Sequence, residues 1–126
     1  MKAQKQYQFI INADISPFSP NKRSHWRKKA AQVAAARDLA TLAWYGADRP
    51  HIRQPVAVEL FVERPRLLDH DNAVASCKPF IDGCLSGALL PDDSPEWVWM
   101  LTIRQAKRKY HRLTITATVM EEGDNG

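Results

Sequence analysis

The pattern of apolar and polar residues predicts a β-strand in each of two stretches of the chain. The first stretch, from Gln6 to Ala13, mixes aromatic and β-branched side chains. The second stretch runs from Pro55 to Glu63. Because successive side chains of a strand point to opposite faces, alternation predicts one buried face. On that face of the second stretch we expect Val56, Val58, Leu60 and Val62.

Two more strands are predicted near the C-terminus, from Trp97 to Ile103 and from Arg112 to Val119. Trp97 and Trp99 should share one face of the first of these strands. The link from Gln105 to His111 is short and rich in lysine and arginine. We therefore expect it to form a basic hairpin between the two strands.

The alanine-rich segment from Trp26 to about Trp44 has helical spacing, with Ser24 as its N-cap and with Gly46 and Pro50 ending it. Arg37 falls within the apolar stripe. It is interpreted either as an arginine at the edge of the core, paired with an acid, or as a residue that reaches a functional site. The other members of the stripe are Trp26, Ala30, Val33, Ala40 and Trp44.

A second helical pattern runs from Asn72 to about Leu85, but Pro79 lies inside it. Proline breaks or kinks a helix unless it occupies the first turn. We therefore expect a short turn from Asn72 to Cys77 and a separate helix that begins near Pro79.

The order of elements predicts a single small α+β domain that spans residues 1–126, with a mixed β-sheet packed against two helices. The last residues, 121–126, are rich in acidic residues and glycine and are expected to form a disordered tail.

Composition places the chain among mildly basic proteins, with a net charge of +4 and a pI near 9.3. Cys77 and Cys84 lie too far apart along the predicted helix for a disulfide and lack the spacing of a zinc site. We expect both to be small buried residues in a reducing compartment. No signal peptide or membrane span is recognised, so the expected location is the cytoplasm, with no membrane partner.

Acidic residues cluster in the middle of this basic chain. Asp69 and Asp71 follow a predicted strand, and in an extended backbone both would point the same way. Hard oxygen ligands of this kind suit Mg²⁺. Lys78 and Asp82 come later in the helical pattern, and the pair Asp92-Asp93 follows in a loop that could return to the same end.

Each acidic residue also has a simpler interpretation. Asp71 would be favourable at a helix N-terminus without any chemistry. Lys78 and Asp82 have the spacing of an ordinary helical ion pair. Asp92 and Asp93 have the composition of a turn.

The combination of Asp69-x-Asp71-Asn72, Lys78-x-x-x-Asp82 and Asp92-Asp93 resembles the RusA family of Holliday junction resolvases, endonucleases of bacteria and their phages. Weaker upstream matches support the resemblance, and it covers about residues 7–119. These upstream matches are Pro20-Asn21, His25-Trp26 and Arg37-Asp38.

The resemblance implies a RusA-like homodimer that requires Mg²⁺, or Mn²⁺ in its place, and that cuts four-way DNA junctions by paired symmetric nicks. It implies metal binding by Asp69, Asp71 and Asp93, with Asp92 in support, and an essential positive charge on Lys78. In the best-known members this lysine lies three residues nearer the second aspartate. The displacement is almost one helical turn, about 4.5 Å along the axis.

Two basic groups are candidate DNA-binding surfaces that contact phosphates without reading sequence. The alternative for each is an ordinary solvated face. The first group surrounds the start of the long helix and the second lies in the predicted hairpin. Their members are Lys22, Arg23, Arg27 and Lys28, and Lys107, Arg108 and Lys109.

The main alternative to a nuclease is a non-catalytic dimer on the same scaffold that binds branched DNA. A calcium loop is disfavoured because the segment lacks the regular ligands and glycine of such loops. For the dimer we expect an apolar surface that includes Trp97, Trp99 and the first strand.

Overall fold

The computed structural model describes residues 5–20 and 25–120. It confirms the predicted α+β class with a four-stranded mixed sheet. The expected tail at 121–126 lies outside the described residues. In chain order the elements are β1 (Gln6–Ile11), a 3-10 turn (Ser16–Phe18), α1 (Trp26–Gly46), β2 (Val56–Arg64), α2 (His70–Ser76), α3 (Lys78–Cys84), β3 (Val98–Lys107) and β4 (Arg112–Val119).

The strands are ordered β1-β4-β2-β3 across the sheet. Strand β4 is antiparallel to both of its neighbours, whereas β2 and β3 are parallel. Parallel neighbours need a long crossover, which α2 and α3 supply between β2 and β3. The crossover therefore starts at the end of β2 and finishes at the start of β3, and the candidate site lies along it.

The predicted basic hairpin is wrong. Strands β3 and β4 lie on opposite sides of β2, and β3 continues to Lys107. Residues 108–111 instead cross the end of β2, where the Arg108 N–H donates to the Arg64 carbonyl at 3.1 Å. Strand β3 also begins at Val98, and the register shifts between Val56 and Ala57. Trp97 thus precedes the strand and does not share a strand face with Trp99.

The apolar face of the sheet forms the core together with the helices. The four alternating residues predicted for β2 are all buried, at no more than 2% exposure, so that prediction is confirmed. Burial of a side chain of this size is worth about 1.5–3 kcal/mol. On β4 the same face carries Leu113, Ile115 and Ala117.

The predicted break at Pro79 is confirmed. Helix α2 ends at Ser76 and α3 begins at Lys78, with Pro79 in its first turn, where a missing N–H costs no helical hydrogen bond. Cys77 joins the two helices. Burial raises the pKa of Cys77 and of Cys84 to about 12, so both thiols stay protonated at neutral pH.

Helix α1 follows the predicted stripe only in its C-terminal half. Ala36, Ala40 and Trp44 are buried, whereas Trp26 is 68% exposed. The apolar spacing continues into the N-terminal half of α1, but the buried residues of this helix all lie in its C-terminal half. The N-cap is His25, whose Nδ1 accepts from the Arg27 N–H. The predicted cap, Ser24, lies outside the described residues.

Helices α1 and α3 touch at Gly83. A Cβ atom at this position would overlap the Arg37 carbonyl oxygen and lie 2.7 Å from the Ala40 Cβ. The Thr41 hydroxyl donates to the Gly83 carbonyl at 2.9 Å and holds the two helices together. The contact leaves no room for any side chain between the helix backbones.

Replacement of Gly83 by alanine should destabilise the fold. Overpacking of this kind costs about 1–3 kcal/mol. The matched control is Gly46→Ala at the end of α1, where an added Cβ meets nothing within 4 Å. Urea unfolding should give a lower midpoint for Gly83→Ala alone. Equal midpoints for the two variants would show that the helices can separate without cost.

Candidate active site

The structure brings Lys78, Asp82 and Asp93 together. The Lys78 Nζ donates to Asp93 Oδ2 at 2.5 Å and lies 3.0 Å from Asp82 Oδ1. Lys78 and Asp82 are four residues apart on α3, whereas Asp93 comes from the loop before β3. The Asp92-Asp93 loop therefore returns to the lysine on α3, which joins two distant parts of the sequence pattern.

The hydrogen bond to Asp93 raises the pKa of Lys78, and Asp82 adds to the effect. The lysine is therefore fully charged at neutral pH. Its side chain is 57% exposed, so solvent screens the ion pairs and they contribute little to stability. The raised pKa of Lys78 and its exposure make it a candidate functional residue.

Arg37 lies at the edge of this cluster, with its Nη2 4.0 Å from Asp82 Oδ2. Its side chain is 53% exposed, so it is not part of the buried stripe of α1. Both interpretations of Arg37 are partly met, because it pairs with an acid and that acid belongs to the candidate site.

Asp69 and Asp71 lie at the N-terminal end of α2. Asp69 is the N-cap residue and Asp71 is in the first turn. The prediction of an extended pair with parallel side chains is wrong, since the helix begins at His70, two residues earlier than predicted. Both carboxylates are exposed, where negative charge complements the helix dipole. Asn72 Nδ2 lies 3.5 Å from Asp69 Oδ2.

Asp92 and Asp93 have different surroundings. The Asp92 Oδ1 accepts from the Ser94 N–H at 2.8 Å, as in an ordinary turn. Hydrogen bonds from the Ser94 side chain and backbone lower the pKa of Asp92. The turn interpretation therefore describes Asp92, whereas Asp93 turns toward Lys78.

The predicted metal ligands are not gathered into one group. Within residues 5–20 and 25–120, no three His, Cys, Asp or Glu side chains are placed to hold a metal ion. Carboxylate oxygens are the donors that Mg²⁺ and Mn²⁺ accept, but Asp93 is bonded to Lys78 here. The donor chemistry therefore fits such an ion, whereas the arrangement of the described carboxylates does not.

The predicted DNA-binding residues fall into three classes. Lys22 and Arg23 lie outside the described residues. Arg27 and Lys28 are exposed at the start of α1, and Lys107 and Lys109 are exposed around the end of β3.

Arg108 belongs to the third class, because it pairs with a buried acid. Its Nε lies 3.2 Å from Oε2 of Glu63, a residue with 6% exposure. The same carboxylate accepts from the Tyr110 hydroxyl at 2.9 Å, and Arg112 lies 3.8 Å away. Arg108 is therefore a structural partner of Glu63.

Gln105 is a site residue that the sequence patterns did not reveal. Its Nε2 donates to the Leu68 carbonyl at 2.8 Å, and its Oε1 accepts from the Leu68 N–H at 3.0 Å. Leu68 directly precedes Asp69. No local pattern links a glutamine on β3 to this segment, because the contact depends on the parallel pairing of β2 and β3.

A cleft of about 400 Å³ opens beside Lys78 and Asp93. Its wall is formed by α2, α3 and the start of β3. The apolar residues of that wall are Val74, Ala75, Ile81, Leu85, Val98 and Leu101.

Comparison with models of known protein families found no match, and comparison with curated proteins found none. In the described part of the chain, no helix is both long enough and apolar enough to cross a membrane.

Proposed function

We propose that this chain is a Mg²⁺-dependent endonuclease that resolves four-way DNA junctions by paired symmetric nicks, in recombination and repair. The observation that carries the proposal is the contact between Lys78 and Asp93. These residues are 15 positions apart in the chain, and the resemblance to junction resolvases links them functionally. Their meeting at 2.5 Å supports one site built from both parts of the pattern.

Hydrolysis of a phosphodiester develops extra negative charge on the phosphate in the transition state. A fully charged, half-exposed lysine beside a cleft can stabilise that charge. In the proposal Asp82 and Asp93 hold the Lys78 ammonium in place, and their own charges keep it protonated. Lys78 is then the residue of the protein that contacts the scissile phosphate.

The metal requirement is carried by the resemblance and by the donor chemistry. We propose Asp69, Asp71 and Asp93 as the residues that hold Mg²⁺, with Asp92 in support and with Mn²⁺ as an alternative ion. If bound there, such an ion would supply Lewis-acid chemistry at the phosphate, and Asp93 would then have to serve both Lys78 and the ion.

DNA would be held through its phosphates. Arg27 and Lys28 at the start of α1, and Lys107 and Lys109 near the end of β3, are exposed cations that suit such contacts. Arg108 contributes less than expected, because its charge is directed at Glu63. No recognition helix is needed, since a junction is recognised by shape and backbone contacts.

A two-fold dimer would present one site to each of the two equivalent strands of a junction. Strand β3 is an edge strand in the described sheet. It exposes Trp99, Met100 and Leu101 by 48%, 53% and 42%. A contiguous exposed apolar patch marks a candidate protein–protein contact. Trp97 adds less than expected, because it is half-buried below Arg53.

The second candidate function is a non-catalytic dimer that binds branched DNA. Two observations favour it: Asp93 is bonded to Lys78, and the described carboxylates do not form a metal-binding group. A cleavage assay separates the two candidates, because both bind junctions and only the nuclease cuts them.

In Mg²⁺ the wild-type protein should cut a synthetic four-way junction and spare a linear duplex of the same sequence. Lys78→Ala should lower the cleavage rate by about 10²-fold through lost charge stabilisation, with little change in affinity.

Asp71→Asn should abolish cleavage and leave junction binding intact or tighter. The matched control is Asp48→Asn, because Asp48 has a φ of 70°, which asparagine tolerates.

Cleavage is measured on labelled junctions in single turnover, and binding by gel shift in EDTA. Near wild-type cleavage by Lys78→Ala would make the lysine a surface partner of Asp82. Junction binding by the wild-type protein without cleavage in either Mg²⁺ or Mn²⁺ would favour the second candidate.

The double variant Trp99→Lys, Met100→Lys should be monomeric at micromolar concentration, where the wild-type protein should sediment as a dimer. Two charges on each copy would face each other across the β3 edge. The control is Leu42→Lys, which charges an apolar residue of α1 that is 65% exposed. A monomeric Leu42→Lys beside a dimeric double variant would assign the interface to α1.

A further inference from the structure

The side-chain amide of Gln105 contacts the backbone of Leu68 with both of its polar atoms. It donates to the Leu68 carbonyl at 2.8 Å and accepts from the Leu68 N–H at 3.0 Å. This is the hydrogen-bond pattern that a neighbouring strand would supply. Leu68 lies after β2 has ended, so the glutamine side chain takes the place of the missing ladder partner.

Three features connect this contact to the candidate site. Leu68 immediately precedes Asp69, the N-cap of α2. Gln105 lies opposite Val62 in the register of β3 with β2, so its backbone is fixed within the sheet. Strand β3 also follows directly after the loop that carries Asp93. One strand therefore limits the freedom of both carboxylate segments.

We propose that Gln105 is a positioning residue that holds the Asp69–Asp71 segment on β3, and that DNA cleavage depends on this hold. The second part rests on the proposed function. Both polar atoms of the amide are needed, because the Leu68 N–H is a donor and the Leu68 carbonyl an acceptor. Glutamate at this position would accept from the N–H, but its carboxylate would repel the carbonyl.

The hold is tested by hydrogen exchange on peptides that cover residues 66–73. Gln105→Ala should speed exchange of the Leu68 amide by about tenfold, the effect expected when a hydrogen bond of ordinary strength is lost. The matched control is Gln8→Ala on β1, which removes a strand glutamine that donates to Thr116 Oγ1 at 3.3 Å. Unchanged exchange in Gln105→Ala would overturn the proposal.

The dependence of cleavage on Gln105 is tested by steady-state kinetics on the four-way junction. A misplaced reacting group costs up to about 10²-fold in rate, so kcat should fall by about tenfold or more in Gln105→Ala, with KM nearly unchanged. Gln105→Glu should recover little, whereas Gln8→Ala should match the wild-type protein. The melting temperatures of the two alanine variants are compared to exclude general destabilisation.

The outcomes separate the two parts. Faster exchange with unchanged kcat would overturn the link to cleavage and leave a purely structural contact. Absence of cleavage by the wild-type protein would overturn the proposed function and the link together, while the exchange data still decide whether Gln105 holds the segment.

Discussion

The close approach of α1 and α3 at Gly83 is the constraint on which the rest of the site depends. A glycine here lets the backbone of α3 reach the Arg37 carbonyl, and Thr41 ties the helices by one hydrogen bond. Asp82 is the neighbour of that glycine and Lys78 lies four residues before Asp82, so both side chains are positioned by the contact. The site is thus built on a helix whose own position leaves little freedom.

The second constraint is the parallel pairing of β2 and β3. It requires a crossover, and the crossover carries Asp69, Asp71 and Lys78 in sequence before the chain returns through the Asp93 loop. Charge is distributed in two different ways around this frame. Glu63 is buried and is neutralised by arginines, so its pairs hold the fold together. The pairs of Lys78 are open to solvent, where they contribute little to stability.

Local features of the fold could be predicted from the sequence because they depend on neighbours in the chain. Alternation predicted the buried face of β2, and Pro79 predicted the break between α2 and α3. The misses are non-local. Alternation does not show which strands pair, so β3 and β4 were expected to form a hairpin. Helical periodicity does not show where the core ends, so it places Trp26 on the apolar stripe although that residue is exposed.

The same division applies to the candidate site. The pair of Lys78 and Asp82 follows from helical spacing, whereas the contact between Lys78 and Asp93 needed the whole crossover to form. Gln105 left no signal, because its partner is a backbone group. The resemblance assigns Asp69 and Asp93 to one metal site. In the structure Asp69 is the N-cap of α2, whereas Asp93 is hydrogen-bonded to Lys78.

The central claim is that Lys78 and Asp93 act as one catalytic unit. The most direct measurement is a double-mutant cycle in the rate of junction cleavage, with Lys78→Ala, Asp93→Asn and the two combined. When two residues act as a unit, removing either one already removes most of their joint effect on the rate. The combined variant should therefore be about as slow as the slower single variant. Losses that multiply independently, or a wild-type protein that cuts no junction, would contradict the account.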